Sequence, residues 1–234
     1  MPLRNPFTQN ETLVFATTEA LVELSEKEHS ELLVISDSHG RSDILCSIVE
    51  EKGKDCDALF FCGDGIRDIA ALVERACSSS RFSACVPPVL AFVQGNNDYE
   101  NCPMVNPKHL SDPEAPCYME VEIPQQIQIN VSGMNVFMAH GHHHGVYGSI
   151  APLCLDAANR GAKTVLFGHT HIAMKGVSNE VYAINPGSCA FPRGGQPPCF
   201  ARVGITKGKD FPSCRFFRLS SEGSIPYDMI ASPW

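Results

Sequence analysis

The sequence predicts an α/β fold with sheets layered against helices, and three observations predict it. Short, continuous apolar runs recur along the 234 residues. Helix-like stretches separate the early runs, and nearly every run stops at a polar or glycine-rich tail. A continuous run of this length reads as a strand buried on both faces, and strands alternating with helices build a layered α/β architecture.

Taken in order, the runs are 31–37 (ELLVISD), 58–64 (ALFFCGD), 89–96 (VLAFVQGN), 135–140 (NVFMAH), 163–169 (KTVLFGH) and 181–185 (VYAIN). Helical patterns cover 42–51, 67–77 and 150–160. The segment 102–124 is rich in proline and polar residues, so it reads as an excursion from the core. Two further strands, 199–206 and 214–220, are expected to pair antiparallel. Residues 1–30 read as an N-terminal extension with a helix over 17–28, and 31–234 as one domain. There is no internal repeat and no low-complexity tract.

Composition bounds the function. With 44% hydrophobic residues the chain can bury one sizeable core. A net charge of -8 disfavours nucleic acid as the main partner, without excluding it, because such proteins carry a basic face. Met1 to Asn10 show no signal-peptide pattern, and no stretch approaches the roughly 20 apolar residues that cross a bilayer. The eleven cysteines include no Cys-x-x-Cys pair, so reduced thiols in a cytoplasm read better than a zinc site or a disulfide framework.

The runs end in potential metal ligands: Asp37 and His39, then Asp64, Asn96, His140, and finally His169 and His171. Ligands of open α/β sheets bind beyond the carboxyl ends of the strands, so five strand ends would aim these groups at one crevice. Each piece alone is commonplace, and a lone strand-end histidine is more often structural. The ordered set asks a structural explanation to account for five ends independently.

The ordered motifs Asp37-Ser38-His39, Gly63-Asp64, Gly95-Asn96-Asn97-Asp98, His140-Gly141-His142 and Gly168-His169-Thr170-His171 resemble the calcineurin-like metallophosphoesterase superfamily. The trailing Asn185-Pro186-Gly187-Ser188 points to its YfcE-like small phosphodiesterase branch. The resemblance covers roughly residues 31–220. It implies a sandwich of two β-sheets flanked by helices and a dinuclear site. Asp37, His39 and His171 would hold one divalent ion, and Asn96, His140 and His169 the other, with Asp64 bridging. Manganese is the first expectation, with nickel, iron or zinc as alternatives. The implied reaction is phosphodiester hydrolysis by a bridging hydroxide between metals about 3.5–4 Å apart. Two divalent ions against two carboxylates leave such a site net positive, so it attracts an anionic ester despite the acidic chain.

Asn97 departs from the wider superfamily, where a histidine paired with the next aspartate often stands. Asparagine can donate a hydrogen bond to a phosphoryl oxygen but delivers no proton at neutral pH. The expectation is an enzyme that favours good leaving groups or takes a proton from His142. Asp98 reads as an orienting carboxylate. Arg67 and Arg193 are candidates to clamp a phosphate, against the plainer reading of solvated loop arginines, and His143 and His144 read as solvated or as supports behind the metal ligands. Ser38, Cys62 and Cys189 lack the base and orienter of a nucleophile. The rival readings are a catalytically silent scaffold with the same fold, as in a retromer relative, or a phosphomonoesterase or nuclease. The C-terminal strands leave pairing between subunits, a homo-oligomer, open.

Overall fold

Along the early apolar runs, side chains alternate between two cores. In β1 (His29–Ile35) Leu33 and Ile35 face one core, and Leu32 and Val34 the other. β2 (Ala58–Phe61) divides the same way, with Leu59 and Phe61 against Ala58 and Phe60. So does β3 (Val89–Phe92), with Leu90 and Phe92 against Val89 and Ala91. Each large side chain so buried stabilises the fold by about 1.5–3 kcal/mol before entropy is counted. Burial on both faces is why these strands read as unbroken apolar runs.

A computed structural model of the chain describes residues 3–228. β1, β2 and β3 run parallel, and β1 pairs antiparallel with β11 (Cys199–Thr206) in register Leu32↔Val203. β11 pairs antiparallel with β12 (Ser213–Ser220), as expected, and β12 with β13 (Gly223–Tyr227). The first sheet therefore has the order β13-β12-β11-β1-β2-β3. The second sheet has the order β6-β7-β8-β10-β9. It comprises β6 (Gln126–Val131), β7 (Met134–Ala139), β8 (Thr164–Leu166), β9 (Ala173–Ser178) and β10 (Val181–Pro186), with β7, β8 and β10 parallel. The two sheets enclose a core that includes Val34, Phe60, Met138, Leu166 and Ile184.

Helices close the outer faces. α2 (Ser42–Lys52) and α3 (Ile66–Ser78) bury Leu45, Val49, Ile69 and Leu72 on the first sheet. The short α4 (Ser80–Ser83) follows, its first turn capped by the Ser79 hydroxyl, which accepts from Phe82 N at 3.3 Å. α5 (Ala151–Asn159) places Leu153, Cys154 and Ala157 on the second sheet with Phe137, Val165 and Phe167. The architecture is the mixed α/β sandwich, two sheets flanked by helices, that the sequence resemblance implies.

The segment 102–124 lies outside both sheets but is not irregular. β4 (Asn101–Val105) and β5 (Tyr118–Glu122) pair antiparallel, and Cys102, Met104, Val121 and Ile123 join the core beneath α3. The N-terminal residues also join the cores. Phe7 and Phe15 are fully buried, and Phe15 meets Phe92 edge-on with ring centroids 5.2 Å apart. Phe15 and Leu90 exchange two backbone hydrogen bonds, 2.9 and 3.0 Å, which covers the free edge of β3. α1 (Thr18–Glu26) is capped by Thr17, whose hydroxyl accepts from Ala20 N at 3.1 Å. It ends short of the expected residue 28 because Lys27 turns to an extended ψ of 143° before β1.

Candidate metal centre

The loops that follow β1, β2, β3, β7 and β8 meet at one end of the sandwich. Asp37, His39, Asp64, His169 and His171 all adopt left-handed backbone there, with φ of 55°, 45°, 59°, 67° and 60°. Such a conformation costs a non-glycine residue about 1–3 kcal/mol and persists only when its surroundings over-determine it. Five such residues converge on this one crevice.

Their surroundings do over-determine them. The Asp98 carboxylate accepts four backbone N–H groups: Asp64 at 2.7 Å, Gly95 at 2.9 Å, Ile66 at 2.9 Å and Gly65 at 3.1 Å. It locks the loop after β2 to the loop after β3. The buried Asp68 carboxylate, in the first turn of α3, accepts from Ser38 Oγ and from Gly40 N at 2.9 Å. Ser188 Oγ donates to Asp37 O at 2.7 Å and accepts from Phe191 N at 2.7 Å. Asn185 donates to Gly168 O at 2.6 Å and Thr170 Oγ1 at 3.1 Å. The Asn-Pro-Gly-Ser turn thus ties the Asp37 loop to the His169 loop. Gly95 is required by close approach, because a Cβ there would collide with the Asp64 carboxylate.

Within this frame Asp37, His39, Asp64 and His171 bring potential ligand atoms within 4.8 Å of one another. His171 Nδ1 faces Phe191 O at 2.6 Å and His140 Nδ1 faces Cys62 O at 2.6 Å. A ring nitrogen against a carbonyl oxygen carries the proton, so each Nε2 presents a lone pair to the crevice. His171 Nε2 lies 3.2 Å from Asp37 Oδ1 and 3.1 Å from His39 Nε2. His140 Nε2 lies 3.5 Å from Asp64 Oδ2, and its ring centroid is 5.1 Å from that of His169. Buried Asp37 Oδ1 and His140 Nε2 have no hydrogen-bond partner. Converging, unpaired acceptors of mixed oxygen and nitrogen type fit a divalent cation, which is the group that relieves their mutual repulsion.

The carboxylates and imidazoles of the crevice also shift one another. Burial alone would raise the Asp64 carboxyl, but His140 and the Asn97 donors hold it well below the usual carboxylate range. Burial opposes charge on His140 and His171 too, yet Asp64 and Asp37 beside them push both imidazoles up. His169 is pushed down by burial and by His140.

The other sequence candidates take varied places. Asn96 stands exposed in the loop after β3. Asn97 is bound to Asp64 twice, through its backbone N–H to Oδ1 at 2.8 Å and its Nδ2 to Oδ2 at 2.7 Å. His142 does not continue an extended chain from His140. Gly141, at φ 105°, starts a 3-10 turn over His142–His144, and the turn carries the His142 ring to 5.4 Å from His140 and 6.0 Å from His169. Burial and the neighbouring imidazoles push His142 down to about 4, so it is neutral at pH 7. Arg193 is exposed at the rim and donates to the Tyr147 hydroxyl, which donates to His169 O at 3.0 Å. Arg67 is exposed in the first turn of α3, 5.9 Å from the Tyr99 ring.

Sequence reasoning passed over Asp68, Tyr147 and Phe191. Only Asp68 left a signal, a carboxylate four residues after Asp64 in a helix's first turn. No helix among the described residues is long and apolar enough to cross a membrane.

Two sheets between helices, with Asp and His side chains gathered at strand ends, form the architecture and candidate metal site of a phosphoesterase fold. The family model of the calcineurin-like phosphoesterase superfamily domain matches residues 31–208, and the chain belongs to that superfamily. It is 26% identical over 186 residues to the probable metallophosphoesterase YsnB of Bacillus subtilis, covering 80% of this chain and 89% of that one. Over 76 residues it is 32% identical to the phosphodiesterase YfcE of Escherichia coli K12, covering 32% of this chain and 38% of YfcE. The zinc complex of wild-type Vps29 from Entamoeba histolytica shares the fold, with a TM-score of 0.56 and 15% identity. That match covers 84% of this chain and 97% of Vps29.

Proposed function

We propose that the chain is a two-metal phosphodiesterase. Asp37, His39 and His171 would hold one divalent ion and Asn96, His140 and His169 a second, with the Asp64 carboxylate as a further ligand. The unpaired Asp37 Oδ1 and His140 Nε2, buried and facing a crevice of further acceptors, carry this reading. When bound, a metal pair supplies an acidified water and a positive field for the phosphate.

The chain's own residues do the rest. Phe191 O and Cys62 O fix the tautomers of His171 and His140, so both present Nε2. Asp98 and Asp68 hold the Asp64 and Asp37 loops in their strained form. Asn97 Nδ2 stands at the Asp64 carboxylate, where it can turn to donate to a phosphoryl oxygen. His142 is held neutral at pH 7, so it is not a charged acid in the place of the missing histidine. Esters with good leaving groups are therefore the favoured substrates.

The diester preference draws support from the partial likeness to YfcE. The scaffold reading draws on the shared fold of Vps29, and the zinc in that structure means that metal content alone does not separate catalyst from scaffold. Turnover does. The test is hydrolysis of bis(p-nitrophenyl) phosphate by metal-stripped protein before and after manganese is restored, beside Asp64→Asn. Activity that returns with manganese and is absent from the variant supports the phosphodiesterase. Folded protein that stays silent with manganese, nickel, iron and zinc favours the scaffold.

A further inference from the structure

An open groove of ≈ 700 Å³ runs from Asp64 and Asn97 out to Pro103 on the β4–β5 hairpin. Arg67 of α3 and Tyr99 both line it. Tyr99 is 72% exposed, far more than an aromatic side chain needs to be when it serves only packing. The Arg67 guanidinium carbon stands over its ring, 5.9 Å from the centroid, at the outer limit of a cation–π contact, so the cation lies near the ring without packing flat against it. The buried, apolar Ile66 and Cys102 line the groove too.

The backbone beside both Arg67 and Tyr99 is tied to Asp64 by one carboxylate. Asp98, adjoining Tyr99 in the chain, accepts from Asp64 N at 2.7 Å and from Ile66 N, adjoining Arg67, at 2.9 Å. A group that leaves the phosphate along this groove thus meets an aromatic ring and a cation.

We infer that the groove receives a planar aromatic arm of the phosphoester, which stacks on Tyr99 beside the Arg67 guanidinium. The inference rests on the phosphodiesterase reading above, and it assigns the substrate class: a phosphoester carrying an aryl group or a nucleobase. An alkyl arm has no π face to offer Tyr99.

The test is equilibrium binding of phenylphosphonate and methylphosphonate to the manganese-loaded protein by calorimetry. Neither ligand is hydrolysed, and they differ only in the arm. Aromatic pairing and apolar burial lead to phenylphosphonate binding about 3- to 10-fold more tightly. Tyr99→Ala is expected to collapse that ratio towards 1, Arg67→Ala to reduce it, and Tyr99→Phe to keep it. Tyr99 is exposed, so these variants leave the core intact. A wild-type ratio near 1, or a ratio that Tyr99→Ala leaves unchanged, overturns the inference. The 5′-phosphonate analogue of thymidine monophosphate separates the two sources of a planar arm. Tighter binding than phenylphosphonate identifies a nucleobase, and weaker binding an aryl group. Failure of the phosphodiesterase reading shows separately, as absent turnover of bis(p-nitrophenyl) phosphate, which the binding ratio does not use.

Discussion

The Asp98 carboxylate accepts the backbone N–H of Asp64 at 2.7 Å, and Asp64 is held by that bond in left-handed backbone at φ 59°. The same carboxylate takes three further N–H groups, so Asp98 acts on the crevice through its neighbours rather than by touching a ligand. Asp98→Asn puts an amide N–H against backbone N–H groups that need an acceptor. Loss of such a supporting partner typically costs 10- to 100-fold in metal affinity or activity. The expected outcome is that loss in manganese affinity and turnover, with the thermal midpoint lowered by only a few degrees. Manganese titration and melting curves on the same samples check it, and an unchanged manganese affinity contradicts it.

Asn97→His restores a proton donor where the chain lacks one. It is expected to raise turnover most for diesters with poor leaving groups, such as alkyl esters, and least for p-nitrophenyl esters. A series of diesters of rising leaving-group pKa measures this. An equal effect along the series counts against a general-acid deficit.

Asn5 joins the N-terminal segment to the core. Its Nδ2 donates to Phe15 O at 2.9 Å, Pro87 O at 3.1 Å and Pro88 O at 3.1 Å, and its Oδ1 accepts from Phe7 N at 2.8 Å, with the residue fully buried. Asn5→Ala strands those groups without a partner and should cost about 2–3 kcal/mol. Urea unfolding checks it, and a loss under about 0.5 kcal/mol would mean that the segment is not part of the folding unit.

Burial pushes the Cys56 thiol up to about 11 and Cys199 up to about 12. A thiol kept protonated in the fold stabilises it fully below the ordinary value of about 8.5, and that contribution is lost as pH rises towards the folded value. At pH 9.5 the unfolded chain gains about 1.4 kcal/mol from ionising each, so the pair removes about 3 kcal/mol relative to pH 7. Urea midpoints at the two pH values test this, with the Cys56→Ala, Cys199→Ala double variant expected to show a smaller drop. An equal drop in both proteins would place the effect elsewhere.

The strands buried on both faces were legible because a doubly buried strand is an unbroken apolar run, as in β1, β2 and β3. β6, with its alternation of buried Ile127, Ile129 and Val131 and outward Gln128 and Asn130, was passed over because it lacks such a run. β9 and β13 lie at sheet edges, where the burial that marks a strand in sequence is weakest. The hairpin of β4 and β5 hid behind its prolines, since Pro103 sits on a two-stranded ribbon where a missing N–H is tolerated. At the crevice, residues that follow strand ends could be read from the chain. Tyr147 and Phe191 could not, because a hydroxyl on His169 O and a carbonyl under His171 Nδ1 depend on loop geometry that no local pattern encodes.

The measurement closest to the central claim counts metal ions and turnover together. Metal-stripped protein is titrated with manganese while bound ions and hydrolysis of bis(p-nitrophenyl) phosphate are followed. For the wild-type chain, activity is expected to reach its maximum only as the second ion per chain binds. His140→Ala is expected to keep one ion and lose turnover. Full activity with one ion, or a His140→Ala variant that binds two ions and turns over normally, would contradict the two-metal assignment.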